Sequence, residues 1–294
     1  MSSGDLGIGL ALVAALMANA AALLKHRGCQ QVPQVRIDQP LRSIRCLARS
    51  RWFAAGWGLA AVAWLVHVAA LSMAPISLVQ AVLAGGAVTL AVMSQGLFGH
   101  RVERRQWLAL LLGGSGLALL AVSVPSFSGS HSQFGLAPIL AFEGGIGLLA
   151  CALALGHRSQ RLGPRGGVVL AALAGTLFAL AGVAIKGLTG ADALHTPLFV
   201  PGVGVVMLCG TLAQYTAVAA LQRGGAVETI GLMGLVANAL QIAGGIIVFG
   251  DPLPSDPLGI SLQGIAFTMV CLSALLLPAT EKHSRPAAPR ALPA

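Results

Sequence analysis

Charge is what this sequence has least of. Lys, Arg, Asp and Glu make up 9% of its 294 residues, where soluble domains carry about 25%. Hydrophobic residues make up 56% and the mean hydropathy is +0.84. The longest polar stretch runs only from Lys25 to Arg51, so no soluble domain fits. With 9 acidic residues, the chain shows no metal-ligand cluster, and no nucleotide-binding loop is found. The cysteines Cys29, Cys46, Cys151, Cys209 and Cys271 have neither metal spacing nor a paired framework. Those in apolar runs read as small hydrophobes. No cleavable signal is expected at the N-terminus: Asp5 stands where a basic region belongs, and Lys25 ends the apolar run as a stop.

What the sequence has is apolar runs of about 20 residues, the length that crosses a bilayer as a helix. Nine spans are expected: Leu6–Leu24, Phe53–Leu71, Pro75–Phe98, Trp107–Val124, Gly135–Leu155, Gly166–Leu188, Leu198–Leu221, Ala226–Phe249 and Leu258–Leu277. The 38 glycines suit closely packed membrane helices. Every Lys and Arg except Lys186 lies in the first, third, fifth or seventh connection or in the tail. The even connections offer only Asp192, Asp251 and Asp256, and Ser126–Phe134 carries no charge. Basic residues mark the cytoplasmic side, so the N-terminus is expected outside and the C-terminus in the cytoplasm. The +9 charge is then an orientation device that also meets anionic lipid, and no nucleic-acid partner is expected.

Two hairpins carry a repeat. Ala69-Ala-Leu71 leads through Pro75 into the third span, and Ala219-Ala-Leu221 leads through Gly225 into the eighth. Proline opens a helix well because its first position needs no N–H partner. On the orientation above the first hairpin turns outside and the second inside, so the halves are inverted, as is typical of secondary transporters. Lys25 and Lys186 each end the first helix of a half. The expected fold is an all-α integral membrane protein with about nine helices in a 4+1+4 arrangement. Residues 1–124 form the first repeat, with a basic cytoplasmic loop at 25–52. Residues 125–157 hold the central fifth helix, 158–279 form the inverted second repeat, and 280–294 are a disordered cytoplasmic tail. Within the loop, Leu41, Ile44 and Leu47 are spaced three apart with Arg between them. This fits either a short amphipathic helix on the membrane surface or an unstructured connector.

Ionisable and polar groups inside a bilayer are costly and hence functional candidates. Glu143 lies about 12 Å into the fifth span at 1.5 Å per residue, beside Gly144, Gly145 and Gly147. It is either a proton or cation site, and the metal ligand if a cation is carried, or a neutral carboxyl bonded to a neighbouring helix. Lys186 either snorkels to the outer interface or pairs with Glu143 or an anionic substrate. Glu228 sits where a carboxylate meets the positive end of a helix dipole. With Gly231, Gly234, Asn238 and Gln241 it also forms one small and polar face, which suits a cavity wall or tight helix packing. Gln80, Gln214 and Tyr215 are further path candidates, and His67 reads as a hydrogen-bonded interface residue. Gly113-Gly-Ser-Gly116 resembles the Gly-x-Ser-Gly of rhomboid intramembrane proteases. Those need a histidine base on a later helix, and the spans from the fifth to the ninth contain none. Helix packing is the alternative.

Four stretches are similar to one family. Leu24-Lys-His-Arg-Gly28, Ala70-Leu-Ser-Met-Ala-Pro-Ile-Ser-Leu-Val79, Ala184-Ile-Lys-Gly-Leu188 and Ala217 to Gly231 resemble the drug/metabolite transporter superfamily (EamA-like). Within it they look most like the NIPA-type magnesium transporter branch. The superfamily's Gly-Glu-Arg/Lys-Leu after the fourth helix of a repeat is altered here. Gly99-His-Arg-Val102 lacks the acid, and Gly250-Asp-Pro-Leu253 lacks the base. The resemblance implies a multi-pass carrier in the cell (inner) membrane that moves a small solute, or magnesium, by alternating access. It implies no cofactor and no enzymatic activity. The bilayer and the solute are the expected partners, and a homodimer stays open as an assembly. A non-transporting membrane scaffold and an intramembrane enzyme acting through Ser115 are the competing readings.

Overall fold

A proline, a pair of glycines and a left-handed glycine decide where this chain stops being helix. In the computed structural model, which describes residues 3–34, 40–98, 102–123, 134–159, 166–189, 198–251, 254 and 256–276, eleven helices follow one another and no strand occurs among those residues. They are α1 (Ser3–Cys29), α2 (Pro40–Ala48), α3 (Arg51–Met73), α4 (Ile76–Gly85), α5 (Ala87–Phe98), α6 (Arg104–Ser123), α7 (Leu136–Ser159), α8 (Gly166–Leu188), α9 (Phe199–Leu221), α10 (Ala226–Phe249) and α11 (Pro257–Leu276). The tail 280–294, residues Gly99–Arg101 and most of Ser126–Phe134 lie outside the described residues.

Seven of these segments are long and apolar enough to cross a membrane: α1, α3, α4 with α5, α7, α8, α9 and α10. The remaining two expected spans coincide with α6 and α11, of 20 residues each, which pack against one another. The molecule is an all-helical, multi-pass membrane protein. Its outward faces carry Trp57, Trp64, Leu65, Leu140, Leu148, Val200, Met207 and Leu208, the large apolar surface that lipid covers.

The loop from Lys25 to Arg51 contains a helix, α2. Its Leu47 is buried in a cluster with Phe53 and Leu23 while Arg45 faces out, so this part of the loop is helical rather than an unstructured connector. Ser50 caps α3 by accepting from the Phe53 N–H at 3.5 Å. Pro75, with no N–H to donate, separates α3 from α4.

The third span is not the single helix expected from Pro75 to Phe98. It breaks at Gly85-Gly86, between α4 and α5. Gly86 N–H donates back to Val82 and Leu83 carbonyls. Its own carbonyl accepts from Asn19 Nδ2 at 2.7 Å and from Thr89 Oγ1 at 2.6 Å. A break in a membrane helix persists only where freed backbone groups find partners, and Asn19 supplies one from α1.

Helix α8 is the most deeply buried span, whereas α3, α7 and α9 are the most exposed. The fifth span, central in the chain, is therefore peripheral in the bundle. The extensive pairings are α1 with α3, α8 with α9, α6 with α11, α8 with α10, and α4 with both α10 and α6. Small residues make the α8–α10 approach close. A Cβ at Gly175 would stand 2.6 Å from the Met233 carbonyl oxygen and 2.9 Å from Val236 Cβ. Overpacking typically costs about 1–3 kcal/mol, and Gly175→Leu is expected to lose that much in thermal unfolding. Gly144 on α7 has nothing within 4 Å of a Cβ, so Gly144→Leu is expected to stay within about 0.5 kcal/mol. The glycines beside Glu143 thus make no close helix contact. Gly113, in contrast, lies against Ser273 of α11, and Ser115 faces away from the bundle.

Candidate functional site

Three polar constellations are buried in this apolar bundle: one at each end and one between them. The first surrounds the hairpin between α3 and α4. Lys186, at the end of α8, is 0% exposed. Its Nζ donates to the Leu71 carbonyl at 2.7 Å and the Ala74 carbonyl at 2.8 Å. These lie at the C-terminal end of α3, where the helix dipole favours a cation. The lysine does not snorkel outward: folding back onto two carbonyls gives charge-assisted bonds in place of water. On the other side of the hairpin, α10 ends at Gly250 in the left-handed conformation (φ 65°), with Asp251 N–H donating to the Gly245 carbonyl. That turn brings Asp251, 3% exposed, to the start of α4, where its Oδ2 accepts from Ser77 N–H at 2.9 Å.

The second constellation surrounds the hairpin between α9 and α10. Here the end of α1 reaches over. Gln30 Nε2 donates to the Leu221 carbonyl at 3.0 Å, and His26 Nε2 lies 3.4 Å from the Gly224 carbonyl. Gln222 Nε2 returns bonds to the Cys29 and Pro33 carbonyls. Leu71 and Ala74 hold the same places after Ala69-Ala70 as Leu221 and Gly224 hold after Ala219-Ala220. At each hairpin the carbonyls at these matching sequence positions are met by the end of another long helix, α8 at the first and α1 with Gln30 at the second.

Between these ends lies a cavity of about 140 Å³, formed by α1, α4, α5, α6, α10 and α11, roomy enough for several waters. Asn19, Asn238 and Ser273 give it polar atoms, and Gly113, Gly231 and Gly234 keep its wall low. Beside it, Gln80 Nε2 donates to Gln241 Oε1 at 2.9 Å and lies 3.4 Å from His67 Nε2. Gln241 can turn toward Gln80 because Gly182 offers no side chain, its Cβ position being filled by the Gln241 carboxamide.

The expected path residues therefore separate. Asn238 lines the cavity with Gly231 and Gly234, while Gln80 and Gln241 join His67 in the adjoining amide cluster. Gln241 and Gln214 line a second, larger crevice outside the cavity. Tyr215 packs against the apolar cluster of Leu23, Leu221 and Ile230. Glu228 occupies the first turn of α10, and Lys186 holds the opposite hairpin. Glu143 lies on peripheral α7 and lines neither space. Its Oε1 is buried without a hydrogen-bond partner among the described residues, and it is not placed against Lys186. Among the described residues, no three His, Cys, Asp or Glu side chains come together as a metal site.

Sequence reasoning missed Asn19, His26, Gln30 and the capping role of Asp251. Asn19 was legible as a lone amide in the first apolar run. His26 and Gln30 fell beyond the expected end of that span at Leu24, and α1 in fact continues to Cys29.

Against known proteins, no protein-family model and no solved structure matches this chain. Among curated proteins, the probable magnesium transporter NIPA9 of Arabidopsis thaliana is 23% identical over 288 residues, covering 94% of this chain and 83% of the relative. The chain is thus similar, at a distance, to a NIPA-type protein. The likeness runs over nearly the whole chain rather than one module.

Proposed function

We propose that the chain is a secondary transporter of the drug/metabolite type, moving a small solute or cation by alternating access across the cell's inner membrane. Its nine membrane helices form two inverted halves around the central cavity. The observation that carries this reading is the reciprocal capping of equivalent carbonyls. Lys186 of the second half closes the first half's hairpin, and His26 and Gln30 of the first half close the second's. The distribution of Lys and Arg puts the first hairpin outside and the second inside. Releasing one closure while the other holds opens the cavity to one side only, which is what inverted repeats permit. Both sets of hairpin contacts are made in this conformation.

The relative's name makes magnesium the specific alternative for the cargo. Mg²⁺ dehydrates reluctantly and keeps several waters, and the amide oxygens of Asn19 and Asn238 suit a hydrated ion better than a bare one. Neutral or cationic metabolites fit the same uncharged lining. The test is uptake by the purified protein in sealed liposomes. A magnesium-sensitive dye is enclosed in one set, and a panel of labelled neutral and cationic metabolites is offered to the other. Saturable, protein-dependent uptake in either arm is expected. No uptake in both, with no thermal shift from any compound, would favour the scaffold reading.

A further inference from the structure

The larger crevice is not part of the path just described. It lies between α3 and α9, floored by α8 and α10, and encloses about 540 Å³. On α3 it runs from Trp57 to His67, and on α9 from Gln214 back to Val206. Ten helical residues make it about 15 Å long at 1.5 Å per residue. Its walls are mostly apolar, and Trp57, Trp64, Met207 and Thr211 are exposed on the outer surface of the bundle. It therefore opens sideways, to the hydrocarbon of the bilayer, along its length.

One end of this crevice is charged. Lys25, on α1, reaches toward the same two helices, and a Cβ on Gly56 of α3 would stand 2.8 Å from its Cγ. Its Nζ donates to Gln214 Oε1 of α9 at 3.3 Å, a long bond to a neutral acceptor, and no other hydrogen bond to it is found among the described residues. An ammonium has three donors and no acceptor, and a buried cation is costly unless it is paired. Lys186 shows what this fold does with a satisfied lysine: two carbonyls at 2.7 and 2.8 Å. Lys25 lacks that, and it stands at the end of an acyl-sized slot open to lipid.

We propose that this crevice binds a single-chain anionic lipid of the fatty-acid class, its carboxylate on Lys25 Nζ and the Gln214 amide and its chain along Trp57, Trp64 and Met207. The charge chooses the headgroup, because Lys25 adjoins one end of the crevice through the lining residue Gln214 and no acidic residue lines it. The shape chooses the chain, because the slot follows one groove between two helices. The occupant enters from the bilayer and does not cross with the transported solute, so the site is independent of the transport reading.

The experiment uses the full-length protein in phosphatidylcholine vesicles with a diazirine-bearing palmitate, and maps the adducts by peptide mass spectrometry. Labelling is expected on the α3 peptide containing Trp57 and Trp64 and on the α9 peptide containing Met207. Excess oleate is expected to suppress it at least tenfold, and neutral monoolein to leave it unchanged. Lys25→Met is expected to reduce the competable labelling to the same extent. Gly210 lines the crevice and has nothing within 4 Å of a Cβ, so Gly210→Leu fills the slot without displacing a neighbour. It is expected to block labelling at an unchanged melting temperature, which keeps the proposal testable should Lys25→Met fold poorly. Labelling that monoolein suppresses as well as oleate does, or that Gly210→Leu leaves intact, would overturn it.

Discussion

Replacing Lys186 by Met is expected to cost about 2–4 kcal/mol of stability and to slow transport at least tenfold. The ammonium makes two short bonds to the Leu71 and Ala74 carbonyls, and hydrogen bonds to charged groups contribute about 1.5–3 kcal/mol each. Part of that is offset because the variant no longer buries a cation. What remains is an open α3 terminus with two carbonyls facing an apolar thioether. Thermal unfolding in detergent measures the first effect and liposome uptake the second. Asp251→Asn is the milder companion. The asparagine oxygen still accepts from Ser77 N–H, and the loss is expected to stay under about 1.5 kcal/mol. Equal stability of Lys186→Met and the parent protein would mean that the lysine is not what closes this hairpin.

The second large effect belongs to the cavity. Asn238→Leu removes one of the few polar groups lining a space of about 140 Å³ and replaces it with a branched apolar side chain. Uptake is expected to fall at least tenfold, while the melting temperature moves by no more than a few degrees. Swapping a half-buried amide for a hydrophobe of similar size removes a desolvation cost as well as a contact. The two variants thus separate. The lysine change is expected to move stability and transport together, and the asparagine change transport alone. If Asn238→Leu transports normally, the cavity is not on the path.

Much of the bundle was legible because its causes are local. Apolar runs of membrane length and Pro75 before α4 act through composition and spacing. The small and polar face of α10 was legible for the same reason, and Gly231, Gly234 and Asn238 do share one cavity wall. What sequence did not give depends on partners distant in the chain. Lys186 read first as a snorkelling residue, because nothing nearby shows that Leu71 and Ala74 lie beside it. Glu143 drew attention as the acid deepest in an apolar run, yet α7 packs on the outside of the bundle, where its side chain reaches neither cavity. The break at Gly86 hid inside an uninterrupted apolar stretch, since the amide that satisfies it comes from α1.

The measurement closest to the central claim is two-sided accessibility of the cavity. A single cysteine is placed at Asn238 in a background with the native cysteines replaced, and a membrane-impermeant thiol reagent is applied from outside or inside oriented vesicles. Releasing the first hairpin with Lys186→Met is expected to raise the labelling rate from outside and lower it from inside. Releasing the second with His26→Leu and Gln30→Leu together is expected to do the reverse. Changes in the same direction for both variants, or none in either, would contradict the account.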